Sequence, residues 1–520
     1  MKSISASHPW FHADRHPDKP AIVMADSGEQ YTYAQMTERS NRVTRYVRDL
    51  GLRPGDTLAI VMENRPDFLV LCWAAKNAGY YYVGVSTHLT PTEAAFIVEH
   101  SGSRLLIGSA ATRHIIEGIR AIIGDRCTYT LLDAEADQMS CLNSAMEGIP
   151  GTRPEATRRG ASMLYSSGTT GRPKGVKVPL LDEPPEMPPL RHGMLVNAFG
   201  FDSSTVFIDP GPLYHAGPLR FAMAVQREGG TVVLMRRFDS MVTLRAIDSF
   251  QVTHGLFVPT MFVRMLRERL TAGREYSHAS LRAAIHGAAP CPIPIKEQML
   301  EWWGPVIYEL YGGTEGSGTT VIDSREWLAH RGSVGKPLPG ITAHIVDDAG
   351  NELPANTPGR VFFNSPRRFE YHDDPQSTEA ARHPNGWTTM GDIGHLDTEG
   401  FLYLTDRESD MIISGGVNIY PREAENVLQA HPEVADVAVI GVPNAEYGEE
   451  VRAIVQPEAG VLPSPQLAQR LLAFCRGRLS PIKCPRAVDF VDRLPRQENG
   501  KLYKRLLRER YGTGHDVTII

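Results

Sequence analysis

Between Leu58 and Leu132 short apolar runs alternate with helix-length segments, and that alternation limits the possible folds more than any other feature of the sequence. Leu58-Ala-Ile-Val-Met62 is an unbroken apolar run of strand length. Pro66 to Ala78 reads as a helix, with proline in the first turn, where a missing N–H is harmless, and Gly79 as its stop. Tyr80 to Val85 is a second strand. In Thr90-Pro-Thr-Glu93, Thr90 can cap a helix, Pro91 suits its first position and Glu93 can complete a capping box; this helix runs toward Gly102. Arg104 to Ile107, Thr112 to Ile123 and Tyr129 to Leu132 continue as strand, helix and strand. Repeated strand–helix–strand units imply a parallel, doubly wound sheet, with ligands at the carboxyl ends of its strands.

The theme recurs in the middle of the chain, where Thr205 to Ile208, Thr231 to Met235 and Gly255 to Val258 are strands separated by helices. Beyond about residue 330 the strands shorten and the turns become Asp348-Ala-Gly350, Pro384-Asn-Gly386 and Asp397-Thr-Glu-Gly400, the texture of an antiparallel subdomain. The last stretch is a small α+β unit: helices at Pro421 to Ala430 and Gln466 to Leu479, strands at Val434 to Gly441, Val451 to Val455 and Ala487 to Val491. The charged Thr405-Asp-Arg-Glu-Ser-Asp410 marks the join. It divides the chain into a large N-terminal domain, 1–408, and a mobile C-terminal domain, 409–520.

Composition removes whole classes of function. The 54 Lys and Arg against 60 Asp and Glu leave a net charge of −6, so a nucleic-acid partner is not expected. Six cysteines in 520 residues form neither a disulfide framework nor a CxxC metal motif, which points to a reducing compartment. No window of about 18 apolar residues exists, so no membrane span is expected. The first residues lack the apolar core of a signal peptide, and a cytoplasmic enzyme is the expectation.

The segment richest in chemistry is Tyr165-Ser-Ser-Gly-Thr-Thr-Gly-Arg-Pro-Lys-Gly-Val176. Gly168, Gly171 and Gly175 let backbone approach a ligand closely. Ser166, Ser167, Thr169 and Thr170 supply hydroxyl donors, and Lys174 supplies a compact positive charge. That combination suits a polyphosphate. It is not a P-loop, which needs Gly-Lys followed by Ser or Thr, and a flexible Gly/Ser turn has the same composition.

This run resembles the phosphate-binding signature of the AMP-forming acyl-adenylating enzymes, which include acyl- and aryl-CoA synthetases, firefly luciferases and peptide-synthetase adenylation domains. The likeness continues in order through Gly287-Ala-Ala-Pro290, Tyr311-Gly-Gly-Thr-Glu315, Gly391-Asp392, Asp406-Arg407, Ser414-Gly-Gly-Val-Asn418 with Pro421-x-Glu423-x-Glu425, Gly441-Val-Pro443 with Gly448-Glu449, and Leu494-Pro-Arg to Asn499-Gly-Lys501. The resemblance implies a reaction in which a carboxylic acid attacks the α-phosphate of ATP, releasing pyrophosphate, before CoA displaces AMP. It also implies roles. The loop from Ser166 to Lys174 would hold the β- and γ-phosphates. Gly287, Ala288, Ala289 and Pro290 would hold adenine, and Tyr311, Gly312 and Gly313 would belong to the ATP/AMP site. Asp392 and Arg407 would hold the ribose. Thr314 would touch the α-phosphate, and Glu315 with Thr170 would hold Mg²⁺. Lys501 would be the catalytic lysine of adenylation. His215 and Gly313 would line the acyl site, with His286 shaping the pocket. After the C-terminal domain turns, Gly415 and Gly416 would line the channel for the pantetheine arm of CoA.

Two departures from the family pattern stand out: Ser409 occupies the hinge position, where Asp or Lys is usual, and the Pro-rich stretch from Leu180 to Leu190 reads as a surface excursion. Lys504, Arg505 and Arg508 read as a solvated basic face. Around His215, Val258-Pro-Thr-Met-Phe262 and Gly312 to Gly318 the residues are apolar or small, with no Lys or Arg to pair a second carboxylate. A hydrophobic monocarboxylic acid, fatty, aryl or polycyclic, is therefore expected, with Gly313, Gly316 and Gly318 leaving room for bulk. No carrier domain follows Lys501, which favours CoA over a carrier-protein thiol. A nucleotide sensor on the same fold is the alternative of another class, and a homodimer is possible within this family.

Overall fold

The helix Pro66–Ala78 is apolar on every side, and nearly every one of its residues is buried. A helix without a polar face has to be covered all round. Here it lies between two sheets, in one core cluster that holds Leu58 and Ile60 from the first sheet and Phe207 and Val232 from the second. The computed structural model describes residues 6–512 apart from 137, 156–157, 167–172, 272–275, 367, 408–409, 415–416, 445–446 and 497–499.

The first sheet has six parallel strands, with Thr57–Val61 between Ser103–Gly108 and Tyr81–Gly84. The capping box expected at Thr90 and Glu93 is present, and Gly79 ends the buried helix in the left-handed region at φ 75°. The outer face of this sheet is covered by the helices Pro91–His100 and Arg113–Ile123. The second sheet has nine strands and is parallel through its centre, from Pro20–Met24 across Thr231–Leu234, Val206–Asp209, His254–Phe257 and Ala283–His286 to Ile307–Gly312. Helices Ser240–Ser249, Pro259–Thr271 and Ile293–Trp303 cover its far side, giving five alternating layers. An N-terminal strand therefore completes the second sheet, with Ile22 paired to Val232, although Pro20-Ala-Ile-Val-Met24 precedes the whole first sheet in sequence.

Four antiparallel strands, Thr342–Val346, Gly359–Asn364, Thr388–Leu396 and Leu402–Arg407, form the subdomain expected after residue 330. The small C-terminal part is built on a long hairpin, Val434–Asn444 against Gly448–Pro457, backed by helices Pro421–Gln429 and Pro465–Arg476. Among the described residues no helix is long and apolar enough to cross a membrane.

The Pro-rich stretch is more than a surface excursion. Pro185 and Pro188 are buried, and the buried Arg227 donates to the carbonyls of Pro185 at 3.1 Å and Glu186 at 3.2 Å. The four prolines of this stretch cannot donate backbone N–H groups, so their segment offers free carbonyls that a guanidinium can take.

Asp209 closes the buried strand Val206–Asp209. One of its oxygens accepts the Gly211 N–H at 3.2 Å and the other has no partner among the described residues. Burial pushes this carboxyl up to about 8. The unfolded chain ionises near 4 while the folded chain keeps the proton, so stability should fall as pH rises from about 4 to 8 and level off above. Asp209→Asn should flatten that slope, as read from urea midpoints across pH. An unchanged slope would show that Asp209 is ionised in the folded protein.

Candidate active site

The carboxyl ends of the second sheet's parallel strands open into a cavity of about 1390 Å³. Its walls come from turns after adjacent strands, where the backbone leaves the ladder and side chains can converge. Gly287 to Pro290 follow Ala283–His286, with Ala288 in the left-handed region at φ 66°. Tyr311 to Glu315 follow from Ile307–Gly312. The antiparallel subdomain brings Asp392, whose carboxylate accepts the Tyr311 hydroxyl at 2.5 Å, and Asp392 is paired in register with Arg407. Tyr371 donates to Glu315 Oε1 at 3.0 Å. Lys174 lines the cavity while donating to Ser377 Oγ at 2.6 Å.

The C-terminal part closes the cavity with Arg422, Glu425, Arg496, Lys501 and Lys504. The Lys501 loop is seated on the large part: a side chain at Gly500 would meet Thr260 Oγ1 at 3.0 Å. Lys501 is near enough to His215 to act on it. Burial first, and the Lys501 charge second, hold the His215 imidazole down to about 4. His215 is therefore neutral at neutral pH, and it sits at the N-cap position of the helix Ala216–Arg227 without a side-chain capping hydrogen bond.

Of the residues expected in the site, Lys174, Gly287 to Pro290, Tyr311 to Glu315, Asp392, His215 and Lys501 line this one cavity. Ser167, Gly168, Thr169, Thr170, Gly171, Gly415, Gly416 and Ser409 lie outside the described residues, as do the side chains of Ser166 and Arg407.

Several expectations need correction. The absent side chains of Gly313 and Gly318 do not make room for an acid. A Cβ at Gly318 would meet the Phe363 ring at 2.1 Å, and one at Gly313 would meet Met390 Sδ at 2.5 Å. Their space is taken by the neighbouring subdomain. Met261 and Phe262 are buried in the core on the far side of the second sheet, because the turn of the helix Pro259–Thr271 points them inward. Lys504 is not solvated: it is buried against Glu425 at 2.8 Å. Arg508 pairs with Asp410 at 2.8 Å, so the C-terminal helix docks through the charges that look like a basic face. A cation does stand near the expected acyl site. Arg220, one turn beyond His215, donates to the Thr314 carbonyl at 2.9 Å.

Sequence reasoning also missed Glu309, Lys296, Tyr371 and Arg422. Glu309 lines the cavity and forms a buried ion pair with Lys296 at 2.7 Å, and His286 Nε2 lies 3.7 Å from the same carboxylate. The only hint was an i, i+2 relation between Glu309 and Tyr311 on one strand, which puts both side chains on the same face.

Residues 10–370 match the model of the AMP-binding enzyme family, and residues 423–501 match that of the AMP-binding enzyme C-terminal domain. The chain belongs to the AMP-binding enzymes. A fatty acid–[acyl-carrier-protein] ligase, ScoC of Streptomyces coeruleorubidus, is 30% identical over 516 residues, covering 96% of this chain and 95% of its own. A feruloyl-CoA synthase of an Amycolatopsis species is 32% identical over 503 residues, covering 95% of this chain and 96% of its own. Among solved structures, o-succinylbenzoate CoA synthetase (MenE) of Bacillus subtilis with its acyl-adenylate intermediate OSB-AMP superposes with a TM-score of 0.82 at 27% identity, covering 97% of this chain and 98% of that one. Like the ligases of this AMP-binding family, the protein is an AMP-forming acid–thiol ligase.

Proposed function

We propose that this AMP-binding enzyme activates a hydrophobic monocarboxylic acid with ATP and Mg²⁺ to an acyl-adenylate, then transfers the acyl group to CoA. The observation that carries the reading is the meeting of Thr314, Glu315, the Tyr311–Asp392 pair and Lys501 in one cavity built by both parts of the chain. Attack of a carboxylate on a polyphosphate brings two anions together, so the site has to align them and neutralise charge. Asp392 offers acceptors for ribose hydroxyls. Thr314 borders the α-phosphate, and the Thr314 backbone is held by Arg220. Glu315 presents carboxylate oxygen at the cavity wall, steadied by Tyr371, a hard donor of the kind Mg²⁺ prefers. With Mg²⁺ bound, charge on the departing pyrophosphate is offset. Lys501 reaches in from the C-terminal part with an ammonium, and the low-pKa His215 beside it adds no second charge.

Pyrophosphate release measured over a panel of acids tests the activity, and repeating it with CoA or a carrier protein identifies the acceptor. The ScoC likeness makes the carrier protein the comparison that matters. Within the panel, each buried methylene should contribute about 0.8 kcal/mol, roughly fourfold in kcat/KM, until the pocket is filled. Acetate or a dicarboxylate as the best substrate would contradict the hydrophobic-acid reading.

A further inference from the structure

Lys174 opens the strand Lys174–Lys177, which runs antiparallel to Glu370–Tyr371 with Val176 opposite Tyr371. The His372 N–H donates to the Gly175 carbonyl at 2.8 Å, and the chain then turns through Asp374 into the short helix Pro375–Ala380. That helix returns Ser377 to the side of Lys174. The Lys174 ammonium donates to Ser377 Oγ at 2.6 Å, lies 3.8 Å from Asp374 Oδ2 and stands 5.1 Å from the centre of the Tyr371 ring. Asp374 accepts the Ser377 backbone N–H at 2.9 Å through its other oxygen. Hydrogen bonding from Ser377 holds the Asp374 carboxyl below its usual range, so Asp374 is ionised at neutral pH. Its pairing with Lys174 is nevertheless loose, since direct ammonium–carboxylate hydrogen bonds close to about 2.8 Å. Lys174 and Ser377 line the active-site cavity, and Asp374 does not. The Tyr371 hydroxyl donates to Glu315 Oε1 at 3.0 Å, so one side chain spaces the ammonium from the carboxylate assigned to Mg²⁺. That spacing sets Lys174 at the phosphate end of a bound nucleotide.

We propose that Ser377 is a positioning residue for Lys174: its hydroxyl takes the ammonium in place of Asp374 and so keeps Lys174 available to the β- and γ-phosphates of ATP. The proposal deepens the ligase reading above and rests on it. An ammonium has three N–H donors, and Ser377 takes one of them. The hydroxyl is a neutral acceptor, so a phosphate oxygen can bind beside it or displace it without first separating opposite charges. A carboxylate in direct contact would have to be pulled away before the phosphate could take its place. Without the Ser377 hydroxyl, Lys174 closes the remaining gap to Asp374, and the polyphosphate then competes with a carboxylate of this chain for the same charge.

The test measures nucleotide binding to the full-length protein by calorimetry with Mg²⁺ present. Two probes are compared: α,β-methylene-ATP, in which carbon replaces the α,β-bridging oxygen so that no adenylate forms, and AMP, which lacks the β- and γ-phosphates. Ser377→Ala should weaken binding of the ATP analogue by roughly 3- to 10-fold and leave AMP binding unchanged. In steady state it should raise the KM for ATP and leave kcat close to wild type. Adding Asp374→Asn to Ser377→Ala should restore the analogue's affinity, because asparagine still accepts the backbone N–H of residue 377 but carries no charge. Asp374→Asn alone should bind the analogue at least as tightly as wild type. Equal weakening of AMP and the analogue would mean that the substitution merely loosens the site, and would overturn the proposal. No weakening of the analogue by Ser377→Ala, or no recovery in the double variant, would overturn it as well. A wild-type protein that binds neither nucleotide would overturn the ligase reading itself, and the proposal with it.

Discussion

Lys501→Ala should lower acyl-adenylate formation by about 10²–10³-fold and leave thioester formation close to the wild-type rate. In the first step charge builds at the α-phosphate and on the departing pyrophosphate. An ammonium already in place stabilises charge that the ground state lacks, which is why its removal acts on rate more than on binding. The Lys501 loop runs close to Thr260 at the cavity, and Lys501 is close enough to depress the His215 imidazole. If the family's two poses apply, Lys501 is remote in the second. Supplying acyl-adenylate and CoA to the variant isolates that step. Equal losses would mean a structural role or a single fixed pose. Equal sparing would return Lys501 to an ordinary surface lysine.

Glu315→Gln should reduce adenylation by about 10²-fold, with the larger effect on the rate and the smaller on the KM for the acid. The amide keeps the shape and the Tyr371 hydrogen bond but loses the charge that would hold Mg²⁺. Tyr371→Phe is the control. It removes the donor to Glu315 and leaves the carboxylate charged, so the loss should be several-fold at most. Rapid-quench measurement of the adenylate across Mg²⁺ concentrations separates the two. Near-normal pyrophosphate release by Glu315→Gln at ordinary Mg²⁺ would remove Glu315 from the metal site.

What could be read along the chain was what local chemistry determines. The helix Pro66–Ala78 needs only its proline, its apolar run and Gly79, and the Thr90–Glu93 cap needs four residues. That Gly287 to Pro290, Tyr311 to Glu315 and Asp392 meet in one cavity was legible for a similar reason, since their turns are short motifs with fixed spacing. What depends on distant partners was not legible. Nothing in Pro20-Ala-Ile-Val-Met24 says that it pairs with Thr231–Leu234 rather than with the nearer first sheet. Gly318 looks like space until Phe363 is found to fill it. Lys504 and Arg508 look solvated until Glu425 and Asp410 are placed against them. The wall around His215 and Gly313 suffers most, because it is assembled from side chains whose neighbours are set by subdomain packing.

The central claim is that the cavity joins a carboxylic acid to AMP, with both parts of the chain contributing. Acid-dependent exchange of labelled pyrophosphate into ATP, measured with no CoA or carrier protein present, tests it most directly. Adenylation is reversible on the enzyme, so a suitable hydrophobic acid should drive label into ATP and leave an acyl-adenylate detectable by mass. Exchange that does not depend on any acid, or cleavage of ATP to ADP and phosphate in place of AMP and pyrophosphate, would contradict it.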